Sequence, residues 1–397
     1  MAIVKIPPNR FEERQETFLN IIEKLNLESF IVLSPTSIYY LTGFVMIPTE
    51  RPFILVFKGS SLNFFVPELE KQHVMEEVPD AKVVSYFEYP DITHPMIHFK
   101  NFIKDNLKIS GKLGAEGGGA RGMWGYKGPK FEEVLKMTIA IHSDLIIDMR
   151  IIKDADELAC LRECARWGNL AHQLLQEYTT IGENEIDVSF RASHEASRKM
   201  RETLGPDYSP IGWGARPCGA GYRGQIGPYS AIPHAMTRNT IFQKGDTLVT
   251  GASGNVAGYR SELERTMFMG EPNDKQRGYF GIMMKAQQAA FDTFGPGIPL
   301  SSVDKATRKV FKETGVMNLV QHHTGHSIGL EGHERPFLDI GMNDLMKSGM
   351  VFTVEPGIYD RSIGGFRHSD TVIITDEGME NITADYPRDL ESLIIDR

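Results

Sequence analysis

Cysteine is scarce in this chain: three in 397 residues, at positions 160, 164 and 218. An odd, low count gives no disulfide framework. Cys160 and Cys164 stand four apart in a helical stretch and read as packed core residues rather than a metal or redox pair. No apolar run approaches the roughly 20 residues of a membrane span, so no membrane partner is expected. Positive charge is outweighed, with 43 Lys and Arg against 52 Asp and Glu and a formal net charge of −9. A nucleic-acid binder would show a basic patch or stripe, so that class of partner is excluded too. Residues 1–8 contain no apolar stretch of the signal-peptide kind, which makes a cytoplasmic location the expectation. Repeats and low-complexity segments are missing. What remains is an ordinary globular composition, 41% apolar, in a chain long enough for two domains.

The first part, residues 1–152, alternates helix and strand. Residues 11–25 carry Phe18, Ile21, Ile22 and Leu25 on one helical stripe. Residues 52–57 and 62–66 read as two strands joined by the turn Lys58-Gly59-Ser60-Ser61. This alternation predicts a three-layer α/β domain. The glycine-rich segment 116–122 reads as a plain loop. The second part, residues 153–397, opens with a long helix over 155–178, capped by Asp154 or Asp156, and a second over 185–203. Short strands follow at 247–250, 264–269, 351–354 and 370–375, interrupted by helices at 275–294 and 303–314. Strands and helices in separate runs predict an α+β fold for this half.

Motifs concentrate in the second part: Gly245-Asp246, Gly258-Tyr259, Arg265-Thr266, His322-His323-Thr324-Gly325-His326 and Val354-Glu355-Pro356-Gly357. In order and spacing they resemble the pita-bread fold shared by prolidase, aminopeptidase P, methionine aminopeptidase and creatinase. Ile38 to Phe44 and the junction Arg150 to Glu157 resemble the same family, so the likeness spans nearly the whole chain. It implies an N-terminal creatinase/prolidase-type domain followed by a pita-bread catalytic domain, and a homodimer.

The resemblance also implies where metal ligands should stand. The metallopeptidases of this family use two Asp, one His and two Glu to hold paired divalent ions. Here the first Asp falls on Gly251 and the second on Glu262. The His falls on His326, the first Glu on Glu355 and the last Glu on Ser369. Creatinase, the metal-free relative, also lacks these ligands and carries a Leu-Glu-Arg-Thr segment, matched by Leu263 to Thr266. Its catalytic His lies thirty residues before that Glu, which corresponds to His234 before Glu264.

The expected activity is therefore a metal-independent, creatinase-like hydrolysis of a C–N bond in a small amidine, guanidine or related amide, with no metal and no cofactor. In this reading His234, Glu264, His326 and Glu355 are catalytic. His234 activates water and protonates the leaving nitrogen. His326 orients the water or donates to the intermediate. Glu264 and Glu355 face a cationic substrate with paired hydrogen bonds, against the plain alternative that Glu264 pairs with Arg265 or Arg260. His333, Arg335 and Arg51 are candidate substrate contacts; for the two arginines the plain alternative is surface charge. Two other functions stay open: an Xaa-Pro dipeptidase or aminopeptidase with a degenerate metal site, and a non-enzymatic binding protein of the same fold.

Overall fold

The computed structural model describes residues 4–120, 125–212 and 214–397. Part of the expected loop at 116–122, and Trp213, lie outside the described residues. The chain divides into two compact units, one over residues 6–149, the other over residues 150–211 and 215–397.

The first unit runs α1 (Pro8–Lys24), β1 (Ser29–Val32), α2 (Pro35–Thr42), β2 (Ile54–Lys58), β3 (Ser61–Pro67), α3 (Glu68–Glu77) and β4 (Lys82–Tyr86). It continues with α4 (Pro95–Asn101), β5 (Leu113–Ala115), α5 (Phe131–Leu135), β6 (Ile139–Ile141) and α6 (Leu145–Met149). One mixed sheet forms, in the order β4-β3-β2-β1-β5-β6. The turn at Lys58 to Ser61 closes β2 against β3 as an antiparallel hairpin. The core is aromatic: Phe65 lies edge-on to Phe99 at 5.3 Å and stacks on Phe102 at 5.7 Å. Burying each such ring contributes about 2 kcal/mol.

The second unit opens with α7 (Ala155–Tyr178) and α8 (Glu185–Leu204). Of the two aspartates considered as caps for α7, Asp154 does the work. Its Oδ1 accepts from the amides of Asp156 and Glu157, and Glu157 Oε2 accepts from the amide of Asp154, all at 2.9 Å. That reciprocal pair satisfies otherwise orphaned N–H groups. Next come β7 (Cys218–Gly221), β8 (Thr247–Val249), β9 (Gly251–Val256), β10 (Tyr259–Arg260), β11 (Thr266–Met269), α9 (Asp274–Phe291) and α10 (Ser301–Glu313). The chain ends with β12 (Gly325–Ser327), β13 (Glu334–Leu338), β14 (Val351–Val354), β15 (Gly357–Asp360), β16 (Gly364–Arg367), β17 (Asp370–Thr375), β18 (Gly378–Asn381) and β19 (Ile394–Ile395).

These strands form several small sheets, the largest in the order β13-β12-β14-β17-β18. Its inner face packs Leu338, Phe352, Val354 and Val372 against Phe291 and Phe294. The expected strand at 264–269 starts its ladder only at Thr266, because Glu264 makes a single bridge, to Ser369. All three cysteines are buried thiols, and Cys164 Sγ donates to the carbonyl of Tyr259 at 3.1 Å. Among the described residues no helix is long and apolar enough to cross a membrane. Helices and strands in separate runs make the architecture α+β.

Candidate active site

His326 sits mid-strand in β12, pressed against β14. A Cβ on Gly325 would lie 2.0 Å from the carbonyl oxygen of Thr353, so only glycine lets the two backbones approach this closely. The backbone amide of His326 donates to Thr353 Oγ1 at 3.1 Å. The imidazole Nδ1 lies 3.0 Å from the carbonyl of Ser327, and a carbonyl partner puts the proton on Nδ1. In the neutral ring Nε2 is then the bare nitrogen. It is buried without an aligned hydrogen bond, although Glu355 Oε1 is only 3.1 Å away.

Glu355 follows directly on β14. Glu262 approaches from the segment between β10 and β11, where Ser369 Oγ donates to its Oε1 at 2.7 Å. One donor atom from each of Glu262, His326 and Glu355 falls within 4.8 Å of the others. The charges are strongly coupled. Burial pushes Glu262 up to about 7, helped by the nearby Glu355 and Glu264. Burial opposes ionisation of Glu355 as well, but His326 and Arg367 prevail and hold it at about 2. Burial disfavours a charged His326, yet Glu355 and Glu262 prevail and raise it to about 9. The pocket of negative charge thus attracts a cation, and a proton serves when nothing else does.

Glu264 behaves differently from expectation. Among the described residues neither Arg265 nor Arg260 pairs with its carboxylate; Arg265 Nη1 reaches only the Glu264 main-chain carbonyl, at 2.8 Å. Arg265 turns to Asp370 at 2.9 Å, on the opposite side of the strand. Arg367 instead grips both oxygens of Glu264, through Nε to Oε2 and through Nη2 to Oε1 at 2.9 Å. Arg223 Nη2 adds a third bond to Oε1 at 2.8 Å. With both oxygens engaged by guanidinium groups, Glu264 has no free edge for a cationic substrate.

A cavity of about 460 Å³ brings together His234, Glu264, His326, His333 and Glu355. The His333 ring stacks on His326 with centroids 3.7 Å apart. His234 is exposed and lines the same cavity, as do His322 and Arg367. The two candidate arginines do not join them. Arg335 is exposed on β13, outside the lining of this cavity. The Arg51 guanidinium is held by Glu88 at 2.6 Å and Glu50 at 2.7 Å, so local acids already neutralise it. Sequence reasoning missed both Arg223 and Arg367 as partners of Glu264. The signal available was its setting: an acidic residue at 264, just ahead of the apolar run Met267-Phe268-Met269, demands a counter-charge if it is buried.

Comparison with known proteins bears on the chemistry. The model of Metallopeptidase family M24 matches residues 159–376, and that of the Creatinase/Prolidase N-terminal domain matches residues 14–150. An Xaa-Pro dipeptidase of Pyrococcus furiosus is 30% identical over 374 residues, covering 94% of this chain and 98% of that protein. An Xaa-Pro dipeptidase of Lactobacillus delbrueckii subsp. lactis is 28% identical over 92% of this chain and 95% of its own length. A solved recombinant prolidase from Thermococcus sibiricus superposes with a TM-score of 0.80 at 26% identity, covering 97% of this chain and 98% of that one. These relatives correct the expectation of a creatinase-like amidine or guanidine hydrolase. Over nearly the full length the similarity runs to Xaa-Pro dipeptidases, and the engaged Glu264 removes the physical argument for a cationic substrate. The chain belongs to metallopeptidase family M24.

Proposed function

We propose that the protein hydrolyses the peptide bond of a small Xaa-Pro peptide, with one divalent ion held by Glu262, His326 and Glu355. The observation that carries this reading is the grouping of one ligand atom each from Glu262, His326 and Glu355 within 4.8 Å of one another, with His326 Nε2 buried among them. One imidazole and two carboxylates form a donor set suited to zinc, manganese or a similar ion. The choice of an Xaa-Pro bond rests on the Xaa-Pro dipeptidase relatives.

The residues fit one ion and not two. A second ion would need carboxylates at 251 and 369, where glycine and serine stand. Glu264 lies between them, bridged to Ser369, but Arg367 and Arg223 neutralise it. On that side of the site the positive charge belongs to guanidinium groups.

When bound, the ion supplies Lewis-acid polarisation of a carbonyl and an acidified water. The chain supplies the rest. The Ser327 carbonyl fixes the His326 ring, and Thr353 Oγ1 approaches Glu355 Oε1 at 3.4 Å. The nitrogen of an Xaa-Pro bond carries no hydrogen, so it must gain a proton before proline leaves. His234 and His333 face the cavity, and an imidazole there is the type of group that makes that transfer.

A metal assay paired with a dipeptide panel tests the proposal. Protein loaded with manganese, cobalt or zinc and then dialysed should keep about one ion per chain and cleave Xaa-Pro dipeptides. His326→Ala and Glu355→Gln should each lose the ion and about 100-fold or more in rate. If no Xaa-Pro dipeptide is cleaved with any of these ions, the reading fails.

A further inference from the structure

Beside the His326 cavity lies a second chamber of about 440 Å³. Arg223, Glu262 and Glu264 line both, so a ligand can extend from one into the other. Missing side chains make the room. Gly219 and Gly221 on β7 lie along β9, with Gly221 directly opposite Gly251. A Cβ on Gly219 would meet nothing within 4 Å, and one on Gly251 would meet only Glu264, at 3.7 Å.

The charge of this chamber is one-sided. Arg216, Arg223 and Arg260 line it, and all three are exposed. Among the described residues neither Arg216 nor Arg260 pairs with a carboxylate; Arg216 lies over the Phe190 ring, 5.5 Å from its centroid. The two acidic groups in the lining are already engaged, Glu262 by Ser369 and Glu264 by Arg367 and Arg223. Among the described residues Arg223 reaches inward with Nη2 alone, to Glu264 and to Gln225 at 3.1 Å, which leaves Nε and Nη1 for a ligand. Its backbone holds φ at +51°, a left-handed conformation that non-glycine residues adopt rarely and that often marks functional positions.

We propose that this chamber is an anion subsite that receives a carboxylate-bearing side chain of the substrate, with Arg216, Arg223 and Arg260 as its counter-charge. The inference rests on the Xaa-Pro reading and sharpens it. In an Xaa-Pro dipeptide only Xaa varies, so the chamber selects Xaa and favours Glu or Asp. The planar, always-charged arginine fork suits a carboxylate better than a hydroxyl or an apolar group.

Two readouts keep this inference separable from the peptidase reading. The first is the ratio of kcat/KM for Glu-Pro over Leu-Pro, with Lys-Pro as the opposite charge. The ratio should be about tenfold or more in the native protein, the scale of one charge-assisted contact. It should fall at least about fivefold in the double variant Arg216→Ala, Arg260→Ala, chiefly through a higher KM for Glu-Pro. The second is calorimetric binding of glutarate, which needs no turnover; the double variant should weaken it by a similar factor. Cleavage of Leu-Pro and Lys-Pro as efficiently as Glu-Pro would overturn the inference, as would glutarate binding that ignores both arginines. If no dipeptide is cleaved but glutarate binds through the arginines, the peptidase reading fails and the anion subsite stands.

Discussion

His172 is fully buried on α7, and among the described residues only Nε2 has a hydrogen-bond partner, Thr250 Oγ1 at 2.5 Å. Burial, and then the charge of Arg265, lower its pKa to about 3. His368 is also buried, with neither ring nitrogen partnered among the described residues, and is held well below the usual histidine range by burial and Arg265. A depressed histidine pKa means that the unfolded chain binds the proton first. The neutral rings therefore contribute fully above the ordinary value near 6.5. Their contribution is lost as the pH falls from there toward the folded value, at about 1.4 kcal/mol per pH unit for each group. Tm should drop between pH 6.5 and 5, before most carboxylates titrate, and His172→Gln should lessen the slope by about one proton. An unchanged slope in that variant would remove His172 from the acid response. At this scale the family resemblance set Glu262, His326 and Glu355 at ligand positions, while the reading drawn from it expected no metal. It did not show who neutralises Glu264. Arg223 and Arg367 lie 41 and 103 residues away, and the adjacent Arg265 points to the other face of an extended chain, where alternation sends it.

Elements that rest on local chemistry were readable in advance. The start of α7 follows from Asp154 and Glu157, and α8 closely matches the apolar period that predicts it. The strands around the site were harder. β12 has three residues, too short for any alternation to register, and its place is set by contact with β14 rather than by its own propensity. That contact is also its weak point. Gly325→Ala would drive a methyl group into the Thr353 carbonyl and force β12 away from β14. The cost should be about 3 kcal/mol, and His326 should move with the strand. The expected outcome is a lower denaturation midpoint together with weakened ion retention. A variant as stable as the parent, with full ion content, would show that β12 relaxes freely.

The two units have separate apolar cores. One is built around Phe65, Phe99 and Phe102. The other centres on Phe294, Phe352 and Val372. The expectation of two domains, 1–152 and 153–397, rested on an alternating first half and a segregated second half, since each pattern buries a different kind of surface. Units with their own cores unfold on their own terms. Urea denaturation followed by circular dichroism should show more than one transition, and a divalent ion should raise only the transition of the unit that carries His326. A single transition, raised as a whole by the ion, would mean that the cores unfold as one.

Gly251 also bears on inhibition. A chelating inhibitor shaped to bridge two ions depends on carboxylates at positions that this chain fills with Gly251 and Ser369, so it should bind this protein poorly. A compound with one metal-seeking head and an acidic arm would match both the trio at His326 and the arginines beside Gly251. Selectivity among family members would then turn on a side chain that is not there.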